Sequence, residues 1–435
     1  MLNWQELYQQ RLTTPQEAVK AIKSGDLVVP GHAASESELL VSAMTERYQE
    51  LENVRIAQGV SLGSSPYCRP EMEGHFKLYS MFLGPHTRKS QWENRTEFLP
   101  LSFHEFPRAF REGYLPVDVF ITMVSPPDKY GYCSLGVSID YSQQLVKSAK
   151  TVIAEVNPNM PRTHGDTFVH ISEFDYIVEG NGPLIELQRF AEKDEVTDAL
   201  GRNVASLIKD GDTLQLGAGT VPDALLQYLK QKSDLGIHTE MFSDGLIELI
   251  ESGVINNKKK TQFPGKIVAT FVEGTQKVYE YVHENPILNF MLVDFVNDPC
   301  VIARNDNQVS INQALEIDLL GQICAEAVGT RQYSGIGGQL DFLRGTAEAR
   351  NGRPIIVIPS TAKNGTISRI SCQLKPGTPI SDTRNDVHYV VTEYGVANLY
   401  CKTNNERARA LIGIAHPDFR VELKRQFELA YDVIL

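Results

Sequence analysis

An internal repeat limits the folds open to this chain. The stretch KSGDLVVPG, which begins at Lys23, returns 186 positions later as KDGDTLQLG, which begins at Lys209. In both copies a helical pattern precedes the glycine-aspartate turn, and an apolar strand-like run follows it. A loop then leads into a second helix that contains a leucine pair, Leu39-Leu40 or Leu225-Leu226. The chain is therefore predicted to consist of two related halves with the same local order of elements.

Short apolar runs alternate with helical patterns in both halves, which is typical of buried strands in a mostly parallel sheet. At 435 residues the chain exceeds what a single hydrophobic core usually supports. We predict an α/β fold with two related, open, mostly parallel domains, residues 1–190 and 191–435, divided in the acidic stretch QRFAEKDEVTDAL. That stretch could instead be a solvated helix inside one domain. The runs on which the prediction depends are DVFITMV, TVIAEV, KIVATFV, PIIVIP and HYVVTE.

Composition excludes several function classes. The net charge of −12 and the lack of a Lys/Arg-rich run argue against a nucleic-acid partner. The polar start MLNWQELYQQRLTTPQEAV and the absence of about 18 consecutive apolar residues argue against a membrane span and favour a cytoplasmic protein. Its 6 cysteines are scattered, without metal-ligand or disulfide spacing, and we expect six buried, reduced thiols.

Two glycine motifs follow predicted strands. GAGTVP, residues 217–222, could bring backbone N–H groups close to a phosphate or thioester oxygen at the start of a helix. It also imitates a dinucleotide fingerprint, since Glu240 lies about 20 residues further on, but Pro222 replaces the third glycine. GVSLG, residues 59–63, matches a nucleophile elbow in letters, yet turn residues follow where an elbow needs a helix. We interpret GVSLG as a turn at a strand end.

Two further features have both structural and chemical interpretations. In SGIGGQLDFLRG the glycines Gly335, Gly337 and Gly338 could make a tight turn or a preorganised oxyanion hole. In LGIHTEMFSDG a strand would place His238 and Glu240 on one side. Glu240 could cap the next helix, form a salt bridge, or act as a covalent nucleophile. Local pattern does not choose among these.

Several motifs together resemble one family. GAGTVPDALL, LGIHTEMFSDG, VNDP, NQALEIDLLGQ, GIGGQLDFLRG and VTEYGVANL occur in order through the second half, with PPDKYGYCSLGVS and VNPNMPRTHGD in the first. The chain is similar to the acetyl-CoA hydrolases and CoA-transferases, and most closely to the 4-hydroxybutyrate CoA-transferase branch. Thr346, where the pattern more often has alanine, is one departure. The resemblance implies CoA-transferase-like domains with the active site in the cleft between them.

The resemblance also implies roles for particular residues. Glu240 would be the nucleophile, the Gly337 N–H would stabilise the oxyanion, and Asn297 would orient Glu240. His32 and His238 would be structural or orienting, on the assumption that the Glu240 carboxylate is already ionised at neutral pH. The segments GHAASES and PPDKYGYCSLG would shape the acyl pocket. The residues expected to contact coenzyme A are Gly217, Ala218, Gly219, Thr220, Val221, Gly335, Gly338, Gln339 and Lys363, with Arg369 and Lys375 as weaker candidates.

The predicted function is CoA transfer between a short-chain acyl-CoA and a carboxylate, with 4-hydroxybutyrate and acetyl-CoA or butyryl-CoA as the expected substrates. Coenzyme A would be a substrate, and no metal or permanently bound cofactor would be required. The alternatives are an acyl-CoA hydrolase that uses the same Glu240, a non-catalytic CoA-binding module, and, more distantly, an NAD-dependent oxidoreductase. We expect a homodimer or a larger homo-oligomer, and no nucleic-acid or membrane partner.

Overall fold

The computed structural model describes residues 3–187, 194–217 and 219–435. Strands and helices alternate along much of these ranges, as the sequence predicts, but residues 308–332 and 353–398 form successive strands without an intervening helix. In chain order the strands are β1 (Leu27–Pro30), β2 (Val54–Gln58), β3 (Phe76–Ser80), β4 (Thr96–Phe98), β5 (Val119–Val124), β6 (Tyr132–Ser134), β7 (Thr151–Val156), β8 (Phe168–His170), β9 (Tyr176–Glu179), β10 (Thr213–Leu216), β11 (Gly236–Ile237), β12 (Met241–Phe242), β13 (Ile267–Ala269), β14 (Phe271–Val272), β15 (Leu288–Phe290), β16 (Gln308–Gln313), β17 (Glu316–Asp318), β18 (Ile323–Cys324), β19 (Ala327–Val328), β20 (Arg331–Gln332), β21 (Arg353–Val357), β22 (Thr361–Ala362), β23 (Ile367–Ser368), β24 (Ile370–Ser371), β25 (Tyr389–Thr392) and β26 (Gly395–Asn398).

Within the described ranges, two α-helices precede the first strand, two follow the last strand, and the others lie between strands, with short 3-10 helices in addition. The α-helices are α1 (Trp4–Arg11), α2 (Pro15–Ala18), α3 (Glu38–Glu46), α4 (Pro85–Trp92), α5 (Phe106–Arg111), α6 (Ser142–Ser148), α7 (Glu195–Ala205), α8 (Thr220–Leu229), α9 (Gly245–Glu251), α10 (Gln276–Val282), α11 (Val293–Val296), α12 (Pro299–Ile302), α13 (Gln339–Glu348), α14 (Asn404–Ile414) and α15 (Pro417–Tyr431). The 3-10 helices are Val19–Ala21, Tyr48–Glu50, Pro66–Cys68, Pro70–Met72, Phe103–Glu105 and Ile171–Glu173.

Each half is built on a mostly parallel sheet. The first half holds a 7-stranded sheet in the order β4-β3-β2-β1-β5-β7-β9, and every neighbouring pair in it is parallel. The second half holds a 6-stranded sheet in the order β11-β10-β16-β21-β25-β26, in which the β25–β26 pair is antiparallel. All residues of β1, β5, β10 and β21 are buried, as expected for strands covered on both faces. The predicted α/β class is confirmed.

The internal repeat is visible in the backbone. Gly25 and Gly211 precede β1 and β10 and share a left-handed φ of 83°, a conformation that favours glycine. In the first copy the Lys23 N–H donates to an Asp26 carboxylate oxygen at 2.8 Å. In the second copy the corresponding bond, from Lys209 to Asp212, is 2.6 Å. The repeated lysine, glycine and aspartate therefore build the same turn into equivalent strands.

The two runs LGIHTEMF and KIVATFV each form two short strands instead of the continuous ones predicted. β11 is followed by β12 in a different sheet, and β13 by β14. The breaks lie opposite each other, because the Glu240 carbonyl accepts from both the Thr270 N–H at 2.9 Å and the Phe271 N–H at 3.2 Å. Two donors on one acceptor interrupt the ladder as a bulge does. Glu240 therefore sits at a bend and not in a regular strand.

The two halves share packed contacts. Ser138 forms an isolated antiparallel bridge with Phe271, and Gly165 forms a parallel one with Phe290. Side chains from both halves belong to one hydrophobic cluster. The predicted boundary, between residues 190 and 191, lies outside the described residues and stays a prediction. The acidic stretch around it continues into α7, where Asn203 donates to the Thr392 carbonyl at 2.9 Å and ties the helix to the second sheet.

Two smaller expectations concern thiols and membranes. Cys300 and Cys401 are exposed, so the expectation of six buried thiols is wrong for these two, which lie in the short helix α12 and in a turn after β26. The other four cysteines are buried. Within the ranges that the structure describes, no helix combines the length and apolar character needed to cross a bilayer.

Candidate active site

A cavity of about 610 Å³ opens between the two halves. The first half contributes residues 59–62 and 81–85, and the second half contributes the glycine-rich segments around 217 and 335–339. Residues 59–62 and 217 follow the carboxyl ends of β2 and β10, where open α/β sheets usually bind their ligands. Glu240 is among the lining residues, so the cavity contains a carboxylate that the sequence marks as a possible nucleophile.

Glu240 is held by Asn297. The Asn297 side-chain N–H donates to Glu240 Oε2 at 2.6 Å, and Asn297 itself is fully buried at the end of α11. Glu240 therefore does not cap α9, whose N-cap is Asp244. The expectation that His238 and Glu240 lie on the same side is confirmed in part, because both side chains contact the segment 296–305. Thr239 points the other way, towards Leu216.

The loop 335–338 presses against this carboxylate. A methyl group on Gly338 would overlap both Glu240 Oε2 and Asn297 Nδ2, and one on Gly337 would lie 3.9 Å from Glu240 Oε1. Gly337 has a left-handed φ of 56°. At Gly335 a methyl would overlap the Met81 carbonyl of the first half. These glycines allow a backbone approach to Glu240 that side chains would block.

The surroundings of Glu240 disfavour its charge. Burial raises the pKa of Glu240 to about 7, against the hydrogen bond from Asn297, which lowers it. Repulsion from Asp341 and Glu273 raises this pKa further, while His32 lowers it. A pKa of about 7 does not agree with the assumption that the Glu240 carboxylate is fully ionised at neutral pH. Desolvation is a tertiary effect that the local sequence does not show.

The two histidines near Glu240 are both fixed. His238 Nε2 donates to the Val296 carbonyl at 2.8 Å and Nδ1 accepts from Asn305 at 3.2 Å, while burial lowers the pKa of His238 to about 3. His32 lines the cavity, and its Nδ1 lies 3.0 Å from an Asp140 carboxylate oxygen. Burial acts to lower the pKa of His32, but the charge and hydrogen bond of Asp140, together with the charges of Glu273 and Glu240, outweigh burial, and the net direction is upward.

The glycine loop after β10 matches its prediction in part. Gly217 and Gly219 line the cavity. Gly219 has a left-handed φ of 133° and is the N-cap of α8, which begins at Thr220. Val221 is 2% exposed, packs in the hydrophobic core and does not line the cavity, so its contact with coenzyme A stays a prediction. Ala218 lies outside the described residues.

The predicted coenzyme A contacts further along the chain divide into two groups. Gly335, Gly338 and Gln339 line the cavity, and Gln339 donates to Asp382 at 2.5 Å. Lys363 does not line it but lies exposed, with a φ of 48°, in the turn between β22 and β23. Arg369 and Lys375 are also absent from the lining. The sequence shows that these three cations lie close together along the chain. It does not fix how the segment that carries them is oriented relative to the cavity.

The first half lines the cavity mainly with segments other than those that the sequence predicts. Of GHAASES only His32 lines the cavity, and PPDKYGYCSLG contributes none of the lining residues. The Tyr132–Ser134 part of that segment pairs with β8 instead. GVSLG, which we interpreted as a turn, is one lining segment, and the run MFLGP at 81–85 is another. Their position after parallel strands was the available signal.

Arg88 is a lining cation that the sequence analysis missed. It lies on α4, its Nε donates to the Tyr333 carbonyl at 2.5 Å, and its guanidinium stacks on the Tyr333 ring at 3.7 Å. On the same helix Trp92 donates to the Gln332 carbonyl at 2.7 Å. These contacts place a positive charge of the first half beside the segment that leads into the loop 335–338.

Comparison with known proteins finds matches to one family in both halves of the chain. Residues 2–186 match the acetyl-CoA hydrolase/transferase N-terminal domain, and residues 274–427 match the acetyl-CoA hydrolase/transferase C-terminal domain. The chain is 50% identical to a 4-hydroxybutyrate coenzyme A transferase of Clostridium kluyveri, over 98% of this chain and 99% of the relative. It is 45% identical to a succinyl-CoA:cyclohexane-1-carboxylate CoA transferase of Geobacter metallireducens, over 97% and 96%.

A solved structure extends the likeness to three dimensions. The 4-hydroxybutyrate CoA-transferase of Porphyromonas gingivalis superposes with a TM-score of 0.83 at 42% identity, over 99% of this chain and 100% of that one. An acetyl-CoA hydrolase of Schizosaccharomyces pombe is more distant, at 24% identity over 98% of this chain and 90% of the relative. The chain belongs to the acetyl-CoA hydrolase/transferase family.

Proposed function

We propose that this protein is a CoA-transferase that moves coenzyme A between a short-chain acyl-CoA and a carboxylate, with 4-hydroxybutyrate and acetyl-CoA or butyryl-CoA as the substrates. The observation that carries the proposal is a carboxylate, Glu240, held by Asn297 against the backbone of Gly338 in the cleft between the halves. A carboxylate can divide a difficult acyl transfer into easier covalent steps.

In the first half-reaction Glu240 attacks the thioester carbonyl of the acyl-CoA. The carbon–sulfur bond breaks, and the products are an acyl-glutamyl anhydride and the CoA thiolate. The thiolate then attacks the glutamyl carbonyl, which releases the first acid as its carboxylate and leaves a glutamyl-CoA thioester. The nucleophile must be the ionised carboxylate, so Asn297 is proposed to orient and stabilise that form.

The second half-reaction reverses these steps with another acid. Its carboxylate attacks the glutamyl-CoA thioester, expels the CoA thiolate and forms a new anhydride. The thiolate then attacks the acyl carbonyl, giving the new acyl-CoA and free Glu240. The exchange has no net proton change and needs no metal or permanently bound cofactor. We expect ping-pong kinetics.

Each step passes through an oxyanion, for which we propose the backbone N–H of Gly337 and its neighbours as donors. The observation that supports these donors is that their loop lies close to Glu240. Preorganised backbone donors of this kind contribute most where water is excluded. The lining around them includes apolar side chains, among them Phe82, Phe103 and Phe271. Such a lining disfavours water in the site, and the exclusion of water is what separates a transferase from a hydrolase.

The proposed function is tested by incubating the protein with acetyl-CoA, with and without 4-hydroxybutyrate, and following all CoA species by chromatography. We expect 4-hydroxybutyryl-CoA to accumulate only when the acceptor is present. Equal release of free CoA with and without acceptor would show a hydrolase. Binding of acetyl-CoA without any turnover would indicate a non-catalytic module and contradict the proposal.

The pH dependence of kcat/KM should follow the ionisation of the Glu240 carboxylate. Because burial raises the pKa of Glu240 to about 7, kcat/KM should fall as the pH drops below about 7 and reach a plateau above it. An ordinary glutamate would place this acid limb near pH 4.3. The profile is measured between pH 5 and 9 under subsaturating acyl-CoA. A profile that stays nearly flat down to pH 5, as an ordinary glutamate would give, would contradict the proposed environment of the nucleophile.

The KM for acyl-CoA should distinguish the contribution of Arg88 from that of Lys363, the cation that the sequence predicts as a coenzyme A contact. We propose that Arg88 contacts the phosphates, so Arg88→Gln should raise the KM for acyl-CoA by about tenfold, the effect of a hydrogen bond to a charged group. Lys363→Gln should have a smaller effect, because an exposed ion pair contributes about 1 kcal/mol or less. Neither variant should change the KM for acyl-pantetheine, which lacks the nucleotide.

The control for Arg88→Gln is Lys89→Gln on the exposed side of the same helix, which should leave both KM values unchanged. An equal loss with acyl-pantetheine would show that Arg88 acts through the loop and not through the phosphates.

The segment 217–221, including Ala218, is proposed to contact coenzyme A through its backbone. The homodimer and the cytoplasmic location expected from the sequence stay predictions.

A further inference from the structure

A contact between the halves lies directly beside the proposed oxyanion loop. His104 Nδ1 lies 2.8 Å from Asp341 Oδ1, and the His104 backbone N–H donates to Asp341 Oδ2 at 3.3 Å. Next to it, the Phe103 N–H donates to the Gly337 carbonyl at 3.3 Å. One short segment of the first half therefore holds both the loop and the helix that follows it.

Asp341 is a buried charge near the nucleophile. It is 2% exposed and lies in the first turn of α13, where the helix dipole favours a negative charge. Both of its carboxylate oxygens bond to His104. Its charge is also one of the causes that raise the pKa of Glu240. The charge on His104 therefore affects how strongly Asp341 repels the Glu240 carboxylate.

His104 is suited to balance this charge. Burial acts to lower the pKa of His104, but the hydrogen bond and charge of Asp341, with Glu105 and Asp298, outweigh burial and raise it. A protonated His104 and an ionised Asp341 form a neutral pair, which acts on Glu240 far more weakly than Asp341 alone. Asp341, His32, Glu273 and the amide of Asn297 are the groups that act on Glu240 itself.

We propose that His104 is a positioning residue for the transfer reaction: it holds Asp341 and the loop 335–338 in place across the junction of the halves and offsets the repulsion between the charges of Asp341 and Glu240. This inference rests on the proposed role of Glu240. A merely structural contact would join the halves without affecting the ionisation of the nucleophile.

The test compares the acid limb of kcat/KM in the wild type, His104→Gln, Asp341→Asn and the double variant. Glutamine can still bond to Asp341 but carries no charge. We expect His104→Gln to move the acid limb to higher pH by about half a unit or more, and Asp341→Asn to move it to lower pH. In the Asp341→Asn background, His104→Gln should cause no further shift, because the charge that it balances is gone.

The matched control is His75→Gln in the first half, whose Nδ1 lies 2.8 Å from the Leu51 carbonyl and which should leave the limb unchanged. Thermal unfolding of each variant shows whether it folds. An unchanged limb in a folded His104→Gln variant, or an equal shift with and without Asp341, would overturn the inference while Glu240→Gln remains inactive. Full activity of Glu240→Gln would overturn the proposed function and this inference with it.

Discussion

A Glu240→Gln variant should bind acyl-CoA but lose CoA transfer by about 10⁴-fold or more, the size of effect seen when a covalent nucleophile is removed. The amide preserves the size of the side chain and can still contact Asn297, but it cannot form the anhydride. Transfer from acetyl-CoA to 4-hydroxybutyrate is the assay, and acetyl-CoA binding is measured by calorimetry. Binding that persists without turnover isolates the chemical step.

The stability of the same variant should rise. The pKa of Glu240 is about 7 in the folded protein and near 4.3 in an unfolded chain, so burial favours the protonated form. That stabilisation is present at low pH and is lost as the pH rises towards 7, above which the buried charge destabilises the fold. Glutamine removes the charge, so the unfolding temperature at pH 8 should equal or exceed that of the wild type.

The control for this variant is Glu348→Gln, an exposed substitution of the same type in the last turn of α13. It should leave both activity and stability unchanged. Substantial transfer by Glu240→Gln, with Glu348→Gln normal, would contradict the assignment of the nucleophile. A low unfolding temperature at pH 8 would contradict the buried setting of its carboxylate.

Replacing Gly338 with alanine is expected to reduce kcat by about 100-fold, since a displacement of about 1 Å at a reacting group has that effect. The added methyl group would overlap Glu240 Oε2 and Asn297 Nδ2. The hydrogen bond between them, 2.6 Å in the wild type, must then lengthen or rotate. Kinetics under saturating acyl-CoA separate the loss of kcat from any change in binding.

A matched glycine substitution is available on α14. A methyl group on Gly413 meets no atom within 4 Å, so Gly413→Ala should keep full activity. Alanine also has the higher helix propensity, by about 1 kcal/mol in a helix interior, so its stability should not fall. Normal kcat in Gly338→Ala would show that the loop does not position Glu240 and would remove the main support for Gly337 as an oxyanion donor.

Much of the fold could be predicted because it depends on local pattern. Continuous apolar runs mark β5, β7 and β21, and the shared lysine, glycine and aspartate mark the equivalent turns before β1 and β10. Glu240 and the loop 335–338 were singled out by motif. Their spacing in sequence did not predict that Gly338 packs against Glu240, because that contact depends on how β11, β12 and α13 are arranged in space.

The parts that could not be predicted depend on tertiary arrangement. The run around Glu240 has the composition of one strand, yet two backbone donors on its carbonyl break the ladder there. Its raised pKa results from burial by distant segments. Most cleft residues of the first half come from loops after parallel strands, and Arg88 comes from helix α4, which follows one of these loops. Local propensity does not fix the direction of such segments. Local propensity likewise did not show that Lys363 lies outside the cavity lining.

The most direct test of Glu240 as the nucleophile is to trap the covalent intermediate. The protein is mixed with acetyl-CoA in the absence of acceptor, quenched, treated with hydroxylamine and digested, and the modified residue is located by mass spectrometry. We expect hydroxylamine to convert a glutamyl-CoA thioester into a hydroxamate on Glu240, and only when acetyl-CoA was present. A hydroxamate on another residue, or none in a preparation that transfers CoA, would contradict a glutamyl-CoA mechanism at Glu240.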